Sequence, residues 1–143
     1  MNAHDASALL TIAAAFDNRT VTEAAARAWA EAIHPAVTLD DGRAAIVEHY
    51  ARSRDWIMPA DINRGSRAAR AARVAATPMP EIPDAIDPAN VRQELAWTRS
   101  WTRAIADGAT PHEAEIAAAR AARIPAPPAL ARRDQTRQIG DHQ

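Results

Sequence analysis

Histidine and carboxylate are the residue types here that can move protons or hold a metal, and their spacing keeps them apart. His4, His34, His49, His112 and His142 are scattered, and no His-Glu-x-x-His pair sets two imidazoles on one helix face. Glu48 and His49 are neighbours, about 100° apart on a helix, so they do not converge on one ion. His112, Glu113 and Glu115 cluster at an expected helix start, where capping and charge–dipole roles explain them. With no cysteine there is no disulfide, thiolate site or thiol nucleophile. With no lysine among the 17 basic residues there is no standard phosphate-binding P-loop. The expectation is a protein without catalytic, cofactor or metal residues.

Two other sets suit binding. Arg64, Arg67, Arg70 and Arg73 recur every three residues. On a helix that series winds by about −60° per step and covers roughly half the circumference. Such a stripe can neutralise nucleic-acid phosphates without reading sequence, lie on an acidic protein surface, or solvate an exposed face. Trp97 and Trp101 stand four apart, with Val91, Leu95, Thr98 and Ile105 on an adjoining face. A two-helix hairpin cannot bury both faces, so the pair packs on the rest of the chain, on a second copy, or on a partner helix as an aromatic anchor.

The elements that position these groups read as helices. Alanine makes up about a quarter of the 143 residues, and glycine and aromatic residues are few, a balance that favours helix over sheet. The exclusive use of arginine fits a GC-rich coding bias. A net charge of −1 excludes a globally basic nucleic-acid binder while leaving a local patch open. The start, Met1-Asn2-Ala3-His4-Asp5, lacks the basic region and apolar run of a signal peptide. No apolar stretch approaches a membrane span. A soluble, cytoplasmic protein is expected.

Leu9, Ile12, Ala13 and Phe16 predict the buried face of a first helix that stops near Asp17-Asn18. Thr20 and Glu23 have capping-box spacing for a second helix, burying Val21, Ala25, Ala28, Trp29, Ala32 and Ile33 and closing at His34-Pro35. Thr38 caps a third, with Leu39, Ile46, Val47 and Tyr50 inward and an end near Arg54. Trp56-Ile57-Met58 forms an apolar turn, and Pro59 starts a fourth helix that runs to Ala76 with Gly65 a weak point inside it. Asp87-Pro88 predicts the start of a fifth reaching Asp107, with Gly108 just past its end. Thr110-Pro111 opens a sixth to about Arg123.

The predicted fold is therefore all-α. A four-helix N-terminal module spans 1–76, an acidic proline-rich linker 77–87, a helical hairpin 88–124 and a flexible tail 125–143. A module of about 75 residues is near the lower limit for independent stability. Phe16, Trp29, Tyr50 and Trp56 are expected to supply much of its core, each worth on the order of 2–3 kcal/mol when buried. The prolines and like charges of the linker predict that the module and the hairpin act as separable units.

An early tryptophan, a helix ending in His-Tyr, a Met-Pro-Ala-Asp-Ile corner and an arginine-rich helix together resemble the phage replicative-helicase loader family, in its actinobacteriophage form. The matching residues are Trp29, Ala45, His49, Tyr50, Met58, Pro59, Ala60, Asp61 and Ile62, within residues 5–73, with Trp97 and Trp101 matching more loosely. The resemblance implies a non-enzymatic adaptor in phage DNA replication, in the cytoplasm of a bacterial host. Such an adaptor binds a hexameric DnaB-type helicase, restrains it, and delivers it through an initiator or single-strand-binding protein. In that family a flexible C-terminal segment grips the helicase; this chain differs in its predicted hairpin. Two alternatives stand beside it: a small DNA-binding regulator that uses the Arg64–Arg73 helix, and a phage structural or assembly protein. Self-association through the hairpin is compatible with each.

Overall fold

The computed structural model describes residues 1–127. These form six α-helices, α1 (Ala3–Asp17), α2 (Glu23–Ala32), α3 (Leu39–Arg52), α4 (Pro59–Ala76), α5 (Val91–Ala106) and α6 (Pro111–Ala122), with no strand among the described residues. The expected tail lies outside the described residues from 128 onward.

Short polar side chains set the helix starts by accepting otherwise unpaired backbone N–H groups. The Asn2 carbonyl takes Asp5 N–H at 2.8 Å, Thr38 takes Asp41 N–H at 3.1 Å, and Thr110 with Glu113 forms a reciprocal capping box. Pro59 occupies the first turn of α4, where the Asp61 carboxylate accepts Met58 N–H at 2.9 Å. Gly108 follows α5 at φ +97°, the left-handed conformation glycine adopts at least cost.

Two expected starts move. The cap of α2 is Thr22, whose hydroxyl accepts Ala25 N–H at 3.1 Å, and not Thr20. Helix α5 begins at Val91 with Asn90 as its cap. The Asp87-Pro88 pair instead makes a turn in which Asp87 O accepts Asn90 N–H at 2.8 Å. Asparagine is as good a cap as aspartate, so the turn costs the helix nothing.

Helices α1 to α4 enclose the first core, made of Ala6, Leu9, Leu10, Ala13, Ala26, Trp29, Ile33, Val37, Ile46, Ile57 and Ile62. The buried face of α1 is thus Ala6-Leu9-Leu10-Ala13, and Phe16 at its end stays 51% exposed, stacked on Tyr50 with ring centroids 4.9 Å apart. On α2, Ala28 and Ala32 are exposed while Ala26 turns inward. On α3, Asp41, Gly42, Ala45 and Ile46 face inward, which turns Leu39 and Val47 out to 42% and 50% exposure.

Two glycines explain that rotation. A Cβ on Gly42 would stand 2.7 Å from a Leu9 methyl, and one on Gly65 would stand 2.8 Å from the Ala45 Cβ. Gly65, a weak point by helix propensity, lets α4 pack closely against Ala45 of α3. The corner turns over as well: Ile57 is fully buried and Trp56 is 60% exposed.

The second core is the α5–α6 hairpin. Trp97, Trp101 and Ile105 lie against Ala114, Ala118 and Ala122, with Ile86 from the proline-rich stretch beneath them. Helix α4 spans both cores, giving Ile62 to the first and packing Val74 against the second.

Candidate functional site

The four arginines of the α4 stripe have different environments. Arg64 is exposed and pairs with Asp61 one turn back. Arg67 is exposed and has no carboxylate within ion-pair distance among the described residues. Arg70 donates to Ala36 O at 3.1 Å and pairs with Asp107 at the end of α5. Arg73 grips both Asp41 oxygens at 2.9 and 2.8 Å and donates to Ala106 O at 2.8 and 2.6 Å. The bidentate Arg73 guanidinium holds the Asp41 carboxyl below its ordinary range, against the opposing effect of burial.

Half of the stripe therefore ties α3, α4 and the end of α5 together. A row that can follow a phosphate backbone needs its guanidinium groups available, and two of these four are satisfied internally. The expected separability of module and hairpin through 77–87 has to reckon with the same contacts. Charge-assisted bonds from Arg70 and Arg73 join α4 to Asp107 and Ala106, and α4 packs on α5.

Trp97 and Trp101 are each 1% exposed. The alanine face of α6 receives both indoles, so of the readings open for this pair, packing within the chain describes their position. As an aromatic anchor for a partner, the pair would first need α6 to move away.

The polar centre of the N-terminal module had no signature in the sequence. Arg19, in the α1–α2 loop, has a side chain only 7% exposed and pairs with Asp17, 4% exposed. Its Nε donates to the two Asp17 oxygens at 3.0 and 2.9 Å, and its Nη2 donates to Ile57 O at 3.0 Å and the Tyr50 hydroxyl at 3.3 Å. The Tyr50 hydroxyl donates to Asp17 and accepts Ile57 N–H at 3.2 Å. The guanidinium also lies 5.1 Å from the ring centre of Trp29 and 5.0 Å from that of Trp56, within cation–π range.

Chemically, this network is closed. The Arg19 hydrogen bonds outweigh burial and hold the Asp17 carboxyl down at about 2. Burial, reinforced by the Asp17 hydrogen bond, pushes the Tyr50 hydroxyl up. Asp17 is thus a weak base and Tyr50 a weak acid, each with its partners in place. What the network does is fix backbone: Ile57 gives both its N–H and its C=O to it. His49 adds a ring-nitrogen contact to Asp55 O at 2.7 Å.

On that fixed corner the apolar surface is unusually open. Trp56 lays one face on Arg19 and is 60% exposed, Met58 is 54% exposed, and Phe16, stacked on Tyr50, is 51% exposed. The alternation of exposed Trp56, buried Ile57 and exposed Met58 is the period of extended chain, which the spacing of Tyr50 from Pro59 leaves room for.

His4, His34, His49 and His112 stay apart, and among the described residues no three His, Asp or Glu side chains gather as a metal-binding group. No helix among them is long and apolar enough to cross a membrane. Comparison of the chain with protein-family models, with curated proteins and with solved structures finds no match.

Proposed function

We propose that this protein is a non-enzymatic helical adaptor that docks on a protein partner through the corner between α3 and α4. The observation that carries the reading is the exposure of Trp56 and Met58 on backbone locked by the buried Arg19–Asp17–Tyr50 network. Large apolar side chains on pre-ordered backbone lose little entropy on binding, and tryptophan is enriched where binding energy concentrates. The resemblance to phage helicase loaders supplies the partner within this proposal, a hexameric DnaB-type helicase in a bacterial host, with an initiator or single-strand-binding protein as the second contact. The DNA-regulator alternative draws less support, because Arg70 and Arg73 are engaged inside the chain.

The test is a pull-down of the DnaB-type helicase with the full chain and with Trp56→Ala/Met58→Ala. Both residues are exposed, so the helical circular dichroism of the variant should stay unchanged. Loss of at least about tenfold in retained helicase is expected for removing a hot-spot pair. Undiminished retention would move the docking surface elsewhere, and no retention by the unaltered chain would remove the helicase as partner.

A further inference from the structure

A concave site lies on the other side of α4, facing the α2–α3 loop. It encloses about 200 Å³, and His34, Asn63, Ser66, Arg67 and Arg70 line it together with the apolar side chains of the loop. No carboxylate lines it. Asn63 builds the wall: its carbonyl accepts His34 N–H at 2.8 Å and its amide donates to Ala32 O at 3.0 Å. His34 Nδ1 accepts Ala36 N–H at 3.1 Å, which leaves the ring proton on Nε2 as a donor.

One buried donor in this wall lacks an acceptor. The Ser66 hydroxyl is buried, with the residue 1% exposed, and makes no hydrogen bond. Buried polar atoms are nearly always paired, so an unpaired one calls for a ligand or a functional account. Arg67 has no ion-pair partner among the described residues. Arg70 adds a second guanidinium whose charge is shared with Asp107.

We propose that this cavity binds the phosphate group of a small phosphorylated compound. A guanidinium, an imidazole N–H and a hydroxyl lining one concavity suit a tetrahedral oxyanion with several terminal oxygens better than a planar carboxylate. The volume is below the roughly 300–1,000 Å³ of pockets for drug-sized ligands, which limits the occupant to a phosphate with a small substituent. A nucleic-acid strand is a poorer fit, because its successive phosphates need a row of available cations and the neighbours Arg64, Arg70 and Arg73 are each paired with a carboxylate.

The experiment is a heteronuclear NMR titration of the full chain with inorganic phosphate and with glycerol 3-phosphate, using sodium chloride at matched ionic strength as the control. Saturable shifts of the His34 ring and Asn63 side-chain amide resonances are expected with either phosphate and not with chloride. Arg67→Ala should weaken the affinity about tenfold, as for losing a charge-assisted bond, with Arg67→Lys retaining part of it. Ser66→Ala should weaken it by a smaller factor, and circular dichroism checks that both variants fold. Equal shifts in chloride, or an affinity indifferent to Arg67→Ala, would overturn the proposal. A steeply salt-dependent response to a single-stranded oligonucleotide with none to the small phosphates would also overturn it, assigning the site to nucleic acid. None of these readouts involves Trp56 or Met58, so the outcome is independent of the docking proposal.

Discussion

In the four N-terminal helices the buried side chains are mostly mid-sized aliphatics such as Leu9, Leu10, Ile33, Ile46 and Ile62, with Trp29 among them, arranged beside a buried ion pair. In the α5–α6 hairpin two indoles, Trp97 and Trp101, lie against a row of alanines. Both halves are rich in alanine and short of apolar volume, yet they meet the shortage differently. A hairpin interface is one layer thick, so large side chains on α5 can cover it by reaching across to Ala114, Ala118 and Ala122. Four helices joined by loops also have loop backbone to satisfy. Arg19, Asp17 and Tyr50 do that for the corner at Ile57 while Phe16 and Trp56 stay at the surface. The contrast teaches that a small helical protein can take its rigidity from aromatic volume in one place and from a satisfied polar network in another.

Removing one indole is the strongest way to break the comparison. Trp97→Ala should destabilise the hairpin by about 3–5 kcal/mol, the range for truncating a buried aromatic. Amide hydrogen exchange should accelerate first in α6, which has little besides alanine to offer the interface. If α6 amides keep their protection, the indoles are not what holds the hairpin.

The matching experiment in the N-terminal half is Arg19→Met. It leaves the Asp17 carboxylate and Ile57 O without their main donor and should cost about 3 kcal/mol, as for breaking a buried pair from one side. Urea denaturation measures the loss. The double variant Arg19→Met/Asp17→Asn should recover part of it, since the second change removes the stranded charge. No recovery would mean that Arg19 acts through its contacts with Trp29 and Trp56 more than through its charge.

The smallest effect sharpens the contrast by pH. Asp17 is held at about 2, below its ordinary 3.8, mainly by the Arg19 hydrogen bonds. The unfolded chain then binds more protons than the folded chain between these values. This contribution is complete above about pH 5 and is lost as the pH falls toward 2, on the order of 2 kcal/mol in all. Arg73 gives Asp41 a shift of the same sign. Acid should therefore loosen α1–α4, and Asp17→Asn should flatten the pH dependence of the urea midpoint between pH 5 and 2. An unchanged slope in that variant would place the acid sensitivity elsewhere.

Much of the fold was legible in local chemistry. The start of α4 at Pro59, the Thr38 and Thr110 caps, Gly108 after α5 and the six helices themselves follow from residue types whose backbone preferences act over one turn. The two misplaced starts, at Thr22 and Asn90, are choices between equally good capping residues a few positions apart, and only the surrounding packing separates them. Trp29 was readable as core, and it is 7% exposed. The exposure of Trp56 beside a buried Ile57 was not readable, because both side chains are apolar and the outcome depends on which face Arg19 occupies.

The sequence by itself determined helix content, most helix ends and the interruption at 77–87, because these rest on interactions within a few residues. Tertiary structure alone decided what the charged residues do. A stripe every three residues looks uniform along α4, yet the approach of Asp41 and Asp107, from helices 30 and more positions away, engages Arg73 and Arg70 and leaves Arg67 facing a cavity. Asp17 at the end of α1 and Arg19 in the loop after it carry no periodic signal, and Tyr50 and Ile57 arrive from 31 and 38 residues downstream of Arg19. Local propensity cannot encode which opposite charges meet across a fold. That is set by helix packing, which here turns on Gly42 and Gly65 letting α3 settle against Leu9 and α4 against Ala45.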